Sequence, residues 1–208
     1  MDETAGTFAL RAVVFDFGGV LAEEGFVRGL KRIGREFGIG EERALDAGER
    51  LVHSSGYVRG QACEAEFWEA FRAETGIPAP DRILRKAVLE EFILRPRMLD
   101  LAEWLRERGL KTAILSDQTD WLEALDRKTP FLWRFDLVHN SFKTGRTKAD
   151  EAAYACLLQD LGLQGPEVLF VDDRASNLAR AARFGIRIVL CEDPEAAEAE
   201  IRSRVSNL

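Results

Sequence analysis

The sequence predicts an α/β fold, a doubly wound parallel sheet with a small helical domain inserted after its first strand. Three observations lead there. Short apolar runs rich in Val, Ile, Leu and Phe recur along the chain, each nearly continuous, as expected of strands covered on both faces. From residue 95 onward these runs alternate with segments of helical periodicity, the pattern of parallel strands joined by helical crossovers. Between about Ala22 and Leu94, by contrast, the apolar residues form helical stripes and no strand pattern.

The first run covers residues 12–17 and overlaps the stretch VVFDFGGVLAEEG; its strand finishes in Asp16, before a turn on Gly18 and Gly19. The next segment holds a stripe of Phe26, Leu30, Ile33 and Phe37, and later a second anchored by Phe67, Trp68 and Phe71. Turns at Gly38-Ile39-Gly40, Ser54-Ser55-Gly56 and Gly76-Ile77-Pro78 divide it. A stripe of Met98, Leu101, Ala102 and Leu105 stops at Gly109 and leads into a strand over 111–115. Strands over 135–138, 168–171 and 187–190 follow, with a helical stripe of Tyr154, Leu157, Leu158 and Leu161 that stops at Gly162. The tail from Pro194 reads as a helix, with Pro in the first turn and Glu195 and Glu198 near its positive end. The expected organisation is a core of residues 1–21 and 95–208 with a helical cap over 22–94, and 208 residues suffice for one core and such an accessory domain.

Composition narrows the partners. With 29 Lys and Arg against 36 Asp and Glu the formal net charge is -7, and no basic cluster interleaves with aromatics. Bulk electrostatics therefore speak against nucleic acid or an anionic membrane surface, while a local site can still take a small anion. The acidic N-terminus and the interruption of the first apolar run by Arg11 and Asp16 predict neither a signal peptide nor a membrane span, hence a cytoplasmic protein. Cys63, Cys156 and Cys191 are odd in number and widely spaced, which suits reduced, semi-buried packing residues. His53 and His139 lie in different regions and make no zinc pair, and GGVLAEEG lacks the Gly-x-Gly-x-x-Gly spacing of a dinucleotide site.

In open α/β sheets, ligands bind outside the carboxyl ends of the strands. There the sequence places Asp16, then Ser116, then Asp172-Asp173, with Lys148 just before the Tyr154 helix. Singly, each has an ordinary structural reading: a cap or turn former for Asp16 and Ser116, a solvated charge for Lys148. Together they fit phosphoryl transfer. A carboxylate can attack phosphorus to give an acyl phosphate that water cleaves. Anion attacking anion needs neutralisation, which Mg²⁺ can supply when held by Asp16, Asp173 and the Gly18 carbonyl. Ser116 can bond a phosphoryl oxygen and Lys148 can offset the charge that develops.

These residues carry a resemblance to the haloacid dehalogenase-like hydrolase superfamily. Its four motifs are similar to VVFDFGGVL with Asp16, TAILSDQ with Ser116, GRTKADEAAY with Gly145, Lys148 and Asp150, and VLFVDDRASNLARAARFGI with Asp172, Asp173 and Asn177. The cap stretch VRGQACEAEFWEAF is similar to the branch that includes glucose-1-phosphate phosphatases and the N-terminal phosphatase domain of soluble epoxide hydrolases. The resemblance implies a Rossmann-like hydrolase core with a helical cap, and Mg²⁺-dependent hydrolysis of small phosphorylated metabolites, sugar phosphates among them, through an aspartyl-phosphate on Asp16. It implies Asp173 as an inner ligand of the metal, Asp172 acting through water, and Asn177 orienting the fourth-motif loop. Lys143 is a less favoured substitute for Lys148, because only Lys148 keeps the spacing from Gly145.

Three positions depart from the pattern: Gly18 in place of an Asp that serves as general acid/base, Ala149 in place of Pro, and Asp117 in place of Asn. The first removes a contribution of about 10² to 10⁴-fold. It leaves three readings: a phosphatase in which water or another group handles the proton; a 2-haloacid dehalogenase, whose halide leaves without one; and a catalytically weak binding or regulatory protein. The retained Asp16, Ser116, Lys148 and Asp173 speak against the third, and the second is weakened because dehalogenases of the family generally carry an aromatic residue and then Gly-Thr, where this chain has Gly18-Gly19-Val20. His53, Arg59 and Trp68 are cap residues that can face a substrate, although Trp68 also suits the core.

Overall fold

The computed structural model describes residues 9–206. Five strands form one sheet: β1 (Ala12–Phe15), β2 (Lys111–Ser116), β3 (Leu137–Asn140), β4 (Val168–Asp172) and β5 (Arg187–Leu190). Their order is β3-β2-β1-β4-β5, and every pairing is parallel. β1 is central, with Val14 opposite Ala113 on one side and Phe170 on the other. The residues that follow β1, β2 and β4 therefore emerge side by side along one edge, and the order reverses around β1, which is where such sheets open a crevice.

Alternation along β1 explains why all four of its residues are apolar. Ala12 and Val14 join Tyr154, Leu157 and Leu178 beneath α8 (Glu151–Leu161) and α9 (Ala175–Ala182). Val13 and Phe15 face the other way, toward Met98, Leu101 and Ile201 of α5 (Pro96–Glu107) and α10 (Pro194–Ser206). A strand buried on both faces has no polar side to show. Pro96 opens α5 at the first turn, where a missing N–H costs nothing, and Gly162 ends α8 in the left-handed conformation.

Four helices lie between β1 and α5: α1 (Gly25–Glu36), α2 (Glu41–Ser54), α3 (Glu64–Thr75) and α4 (Asp81–Leu89). Two more, α6 (Trp121–Lys128) and the single turn α7 (Ser141–Thr144), follow β2 and β3. The chain enters and leaves the four-helix insert side by side: Glu23 N–H donates to Ile93 O at 2.9 Å, and Arg95 N–H to Leu21 O at 2.8 Å. The insert is fastened to the core by aromatic packing. Trp68 stacks on Trp121 of α6 at 5.7 Å between ring centres, and Phe67 and Tyr57 meet the same indole edge-on.

Some expected boundaries shift. β1 stops at Phe15, so Phe17 belongs to the following turn, where its carbonyl accepts Leu21 and Ala22 N–H at 2.9 Å. β3 begins at Leu137, two residues later than its apolar run suggested. Phe135 is buried because its ring meets Phe15 edge-on at 6.2 Å, and the Asp136 carboxylate accepts Thr112 N–H at 2.8 Å. Cys63 is exposed, not semi-buried, since it stands where α3 begins on the surface; Cys156 is half-buried, Cys191 is buried, and all three are free thiols. Among the described residues no helix is long and apolar enough to cross a membrane.

Candidate active site

Asp16 leaves the centre of the sheet with both carboxylate oxygens engaged. Oδ1 accepts the Ser116 hydroxyl at 2.8 Å and Phe17 N–H at 2.6 Å, and Oδ2 lies 2.5 Å from the Lys148 ammonium. β1 and β2 pair in register up to Phe15 and Ile114, which brings Asp16 and Ser116 out beside each other. The same ammonium donates to Asp172 Oδ2 at 2.7 Å, and Asn177 Nδ2 lies 3.1 Å from both Asp172 oxygens. Arg174 N–H completes the set on Asp172 Oδ1 at 2.8 Å. Lys148 is only 3% exposed. Its position is set by its backbone: its N–H donates to Asp117 Oδ1 at 2.8 Å, and its carbonyl accepts the Tyr154 hydroxyl at 3.0 Å. Asp117, unusual by motif, thus has a structural task.

Burial works to strip the proton from Lys148, but the charges of Asp16 and Asp172 outweigh it and hold the pKa above the ordinary lysine value. For Asp16, burial and the neighbouring Asp172 charge push the carboxyl above its usual range against the pull of Lys148 and Ser116. Two carboxylates share this one ammonium, and a third stands close to both. Oxygens of Asp16, Asp172 and Asp173 lie within 4.8 Å of one another, and Asp173 Oδ1 is buried without a hydrogen-bond partner. A buried carboxylate oxygen left without a donor is costly, and an all-oxygen set of this charge suits a hard divalent cation such as Mg²⁺. The backbone is shaped around it: Gly19 has φ of 80°, and a Cβ there would fall 2.3 Å from Asp173 Oδ2.

Gly18 is different. The atoms nearest a Cβ on it would be those of the Glu24 carboxylate, from 3.4 Å, an ordinary contact, so the backbone leaves room for a side chain there. Glu24 stands over the gap, half-buried, with Arg174 Nη2 3.8 Å away. Burial, and then the charge of Asp173, raise its pKa to about 7. Sequence reasoning missed Glu24. Its only local signal is a carboxylate just before the first helix of the insert, a common place for a solvated charge.

The rim opens on a cavity of about 240 Å³, walled by Asp16, Glu24, Phe26, His53, Trp121 and Arg174 among others. Of the three insert residues singled out from the sequence, His53 lines this cavity, Trp68 is buried with Nε1 2.9 Å from Glu64, and Arg59 turns away toward Asp150. Lys143 is exposed and paired with Glu123 at 2.7 Å, so it does not stand in for Lys148. His139 is buried and bonded to Asp160 at 2.9 Å, away from the rim.

Residues 10–185 match the family model described as haloacid dehalogenase-like hydrolase. The chain belongs to that hydrolase family. Among curated relatives of this haloacid dehalogenase-like chain, mouse acyl-CoA dehydrogenase family member 10 is 30% identical over 96% of the chain, which spans only 19% of that protein. Phosphatase MT3486 of Mycobacterium tuberculosis is 27% identical over 88% of both sequences. Among solved structures, a haloacid dehalogenase family enzyme from Bacteroides thetaiotaomicron, in complex with magnesium and inorganic phosphate, superposes with a TM-score of 0.72 at 23% identity over 89% of this chain and 97% of that one. The L-2-haloacid dehalogenase of Xanthobacter autotrophicus, with chloropropionic acid covalently bound, gives 0.65 at 24% identity over 93% and 83%. At these identities the structural likenesses speak for the fold alone.

Proposed function

We propose that the chain is a Mg²⁺-dependent hydrolase of small phosphate monoesters, with Asp16 as nucleophile. The observation that carries this reading is the Asp16 carboxylate, held between the Ser116 hydroxyl and the Lys148 ammonium at the mouth of the cavity, with the unpartnered Asp173 oxygen beside it. Mg²⁺ would be held by Asp16, Asp173 and the Gly18 carbonyl, with Asp172 in support, and supplies the positive charge that lets a carboxylate approach a phosphate.

In the first half-reaction a carboxylate oxygen of Asp16 forms a bond to phosphorus while the bond from phosphorus to the ester oxygen breaks. The electron pair of that bond leaves on the ester oxygen, which takes up a proton. In the second half, water attacks the acyl phosphate, releasing inorganic phosphate and regenerating Asp16. Ser116 donates to a phosphoryl oxygen, and Lys148 compensates the charge that builds on the transferring group. Asn177 and Arg174 N–H keep Asp172 aimed at Lys148. The ester oxygen needs an acid that Gly18 cannot supply, and Glu24 is the carboxyl that stands over Gly18. The cavity of about 240 Å³ supports a small rather than a polymeric substrate.

A screen of phosphate esters and 2-haloacids, with and without Mg²⁺, tests the assignment. Phosphate release that needs Mg²⁺ and disappears in Asp16→Asn supports it. Halide release would replace it with carbon–halogen hydrolysis, and release of neither would leave a binding or regulatory protein.

A further inference from the structure

The insert touches the catalytic rim in one place that the chemistry above does not use. The 3-10 turn Tyr57–Arg59 reaches out of the insert onto the loop that carries Lys148. Arg59 spends its guanidinium entirely on that loop. Nη1 donates to Gly145 O at 3.0 Å and to Asp150 Oδ2 at 2.6 Å; Nη2 donates to Thr147 Oγ1 at 3.0 Å and to Asp150 Oδ1 at 3.1 Å. This is the two-pronged arrangement that a planar guanidinium makes and an ammonium cannot. Asp150 passes the constraint on, since its Oδ2 also accepts Thr147 N–H at 2.9 Å, one residue before Lys148.

The turn is seated by further contacts. The buried Ser141 hydroxyl donates to Val58 O at 2.7 Å, the Tyr57 hydroxyl bonds the Asp120 carboxylate, and the Tyr57 ring meets Phe142 edge-on at 5.9 Å. At Gly60, with φ of 68°, a Cβ would fall 2.2 Å from Phe142 O, so the backbones touch directly. On the far side of the loop Lys148 is fixed by Asp117 and Tyr154. Apart from the bonds of Lys148 itself, the remaining bonds of the stretch Gly145 to Asp150 are local, among them those between Thr144 and Arg146 and between Thr147 and Asp150, so Arg59 is what ties those neighbours of Lys148 to the insert.

We propose that Arg59 is a positioning residue that acts from the insert: its fork on Gly145, Thr147 and Asp150 keeps the Lys148 loop in the conformation that buries the ammonium between Asp16 and Asp172. Docking of the insert then becomes a condition for an assembled rim. The catalytic consequence rests on the phosphatase reading; the placement of Lys148 does not.

The test separates the two. In the full-length protein, the acetylation rate of each lysine amine is followed by peptide mass spectrometry for the wild type, Arg59→Ala and Arg59→Lys, with thermal unfolding as a check on the fold. In the wild type the buried Lys148 should be protected relative to exposed Lys143. Arg59→Ala is expected to raise Lys148 labelling about tenfold or more, with Lys143 unchanged, and to lower kcat on an aryl phosphate by about 10²-fold with a smaller change in KM, as a displaced catalytic group should. Arg59→Lys keeps the charge without the fork and should fall between, and millimolar methylguanidinium should restore part of the protection and turnover to Arg59→Ala. Unchanged Lys148 protection in a folded Arg59→Ala protein, or in Arg59→Lys if the alanine variant does not fold, overturns the proposal. Loss of Lys148 protection in a protein that never releases phosphate would uphold it while defeating the phosphatase reading.

Discussion

Asp172 and Asp173 are neighbours in the chain and opposites in environment. Asp172 is wholly buried and receives Lys148, Asn177 and Arg174 N–H, so its charge and lone pairs are compensated within the protein. Asp173 has an oxygen with no partner, and its charge acts on the neighbouring Glu24 carboxyl beside the Gly18-Gly19 turn. One side of the rim is closed by its own bonds; the other leaves bonding capacity unspent. Compensated charges hold a site's shape, whereas uncompensated ones mark where something outside the chain must bind.

The largest effect should come from breaking the closed side. Lys148→Met strands two buried carboxylates, and a loss of about 3–5 kcal/mol of stability is expected in chemical denaturation, together with loss of turnover. Stability within about 1 kcal/mol of wild type would mean that water, not Lys148, compensates the pair. On the open side, Asp173→Asn should barely change the metal-free protein but abolish its stabilisation by Mg²⁺. A cation present at a hundred times its Kd adds about 2.7 kcal/mol, seen as an upward shift of Tm in the wild type alone. A shift of equal size in the variant would move the metal off Asp173.

Much of this contrast was legible in the sequence, for a physical reason. Strands buried on both faces leave continuous apolar runs, so the polar residues that end them stand out, and Asp16, Ser116, Asp172 and Asp173 were found that way. Lys148 needed the motif spacing as well, because a lysine with two buried carboxylate partners looks in sequence like any solvated lysine. Phe135 misled because its burial comes from ring packing below the sheet rather than from strand pairing. Glu24 escapes sequence reasoning, and Arg59 reads there as able to face a substrate, for a common reason: what each touches is decided by how the insert folds back, Glu24 over Gly18 and Arg59 onto residues more than eighty positions away. Position in the chain carries no trace of that.

Glu24 offers a finer division of the open side. Glu24→Gln should slow an alkyl phosphate by about 10²-fold, in line with loss of an acid, while an aryl phosphate with a good leaving group changes little. Equal losses on both would make Glu24 a structural neighbour of Asp173 rather than a proton carrier. The smallest effect lies at the insert contact. Pairing with Arg59 lowers the Asp150 pKa, so the pair's contribution is complete above the unfolded carboxyl value near 4 and is lost as pH falls through the lower folded value. Both partners are about one-third exposed, which limits the gain to about 1 kcal/mol or less. Denaturation curves of Asp150→Asn should lack that acid step, and a curve parallel to wild type would show that the fork adds no net stability.

The most direct measurement is rapid-quench mass spectrometry of the protein during turnover of a phosphate ester. A phosphoryl group on the peptide containing Asp16, absent from Asp16→Asn and appearing before inorganic phosphate accumulates, is the expected result. Sustained phosphate release with Asp16 unmodified at every quench time would contradict nucleophilic attack by Asp16.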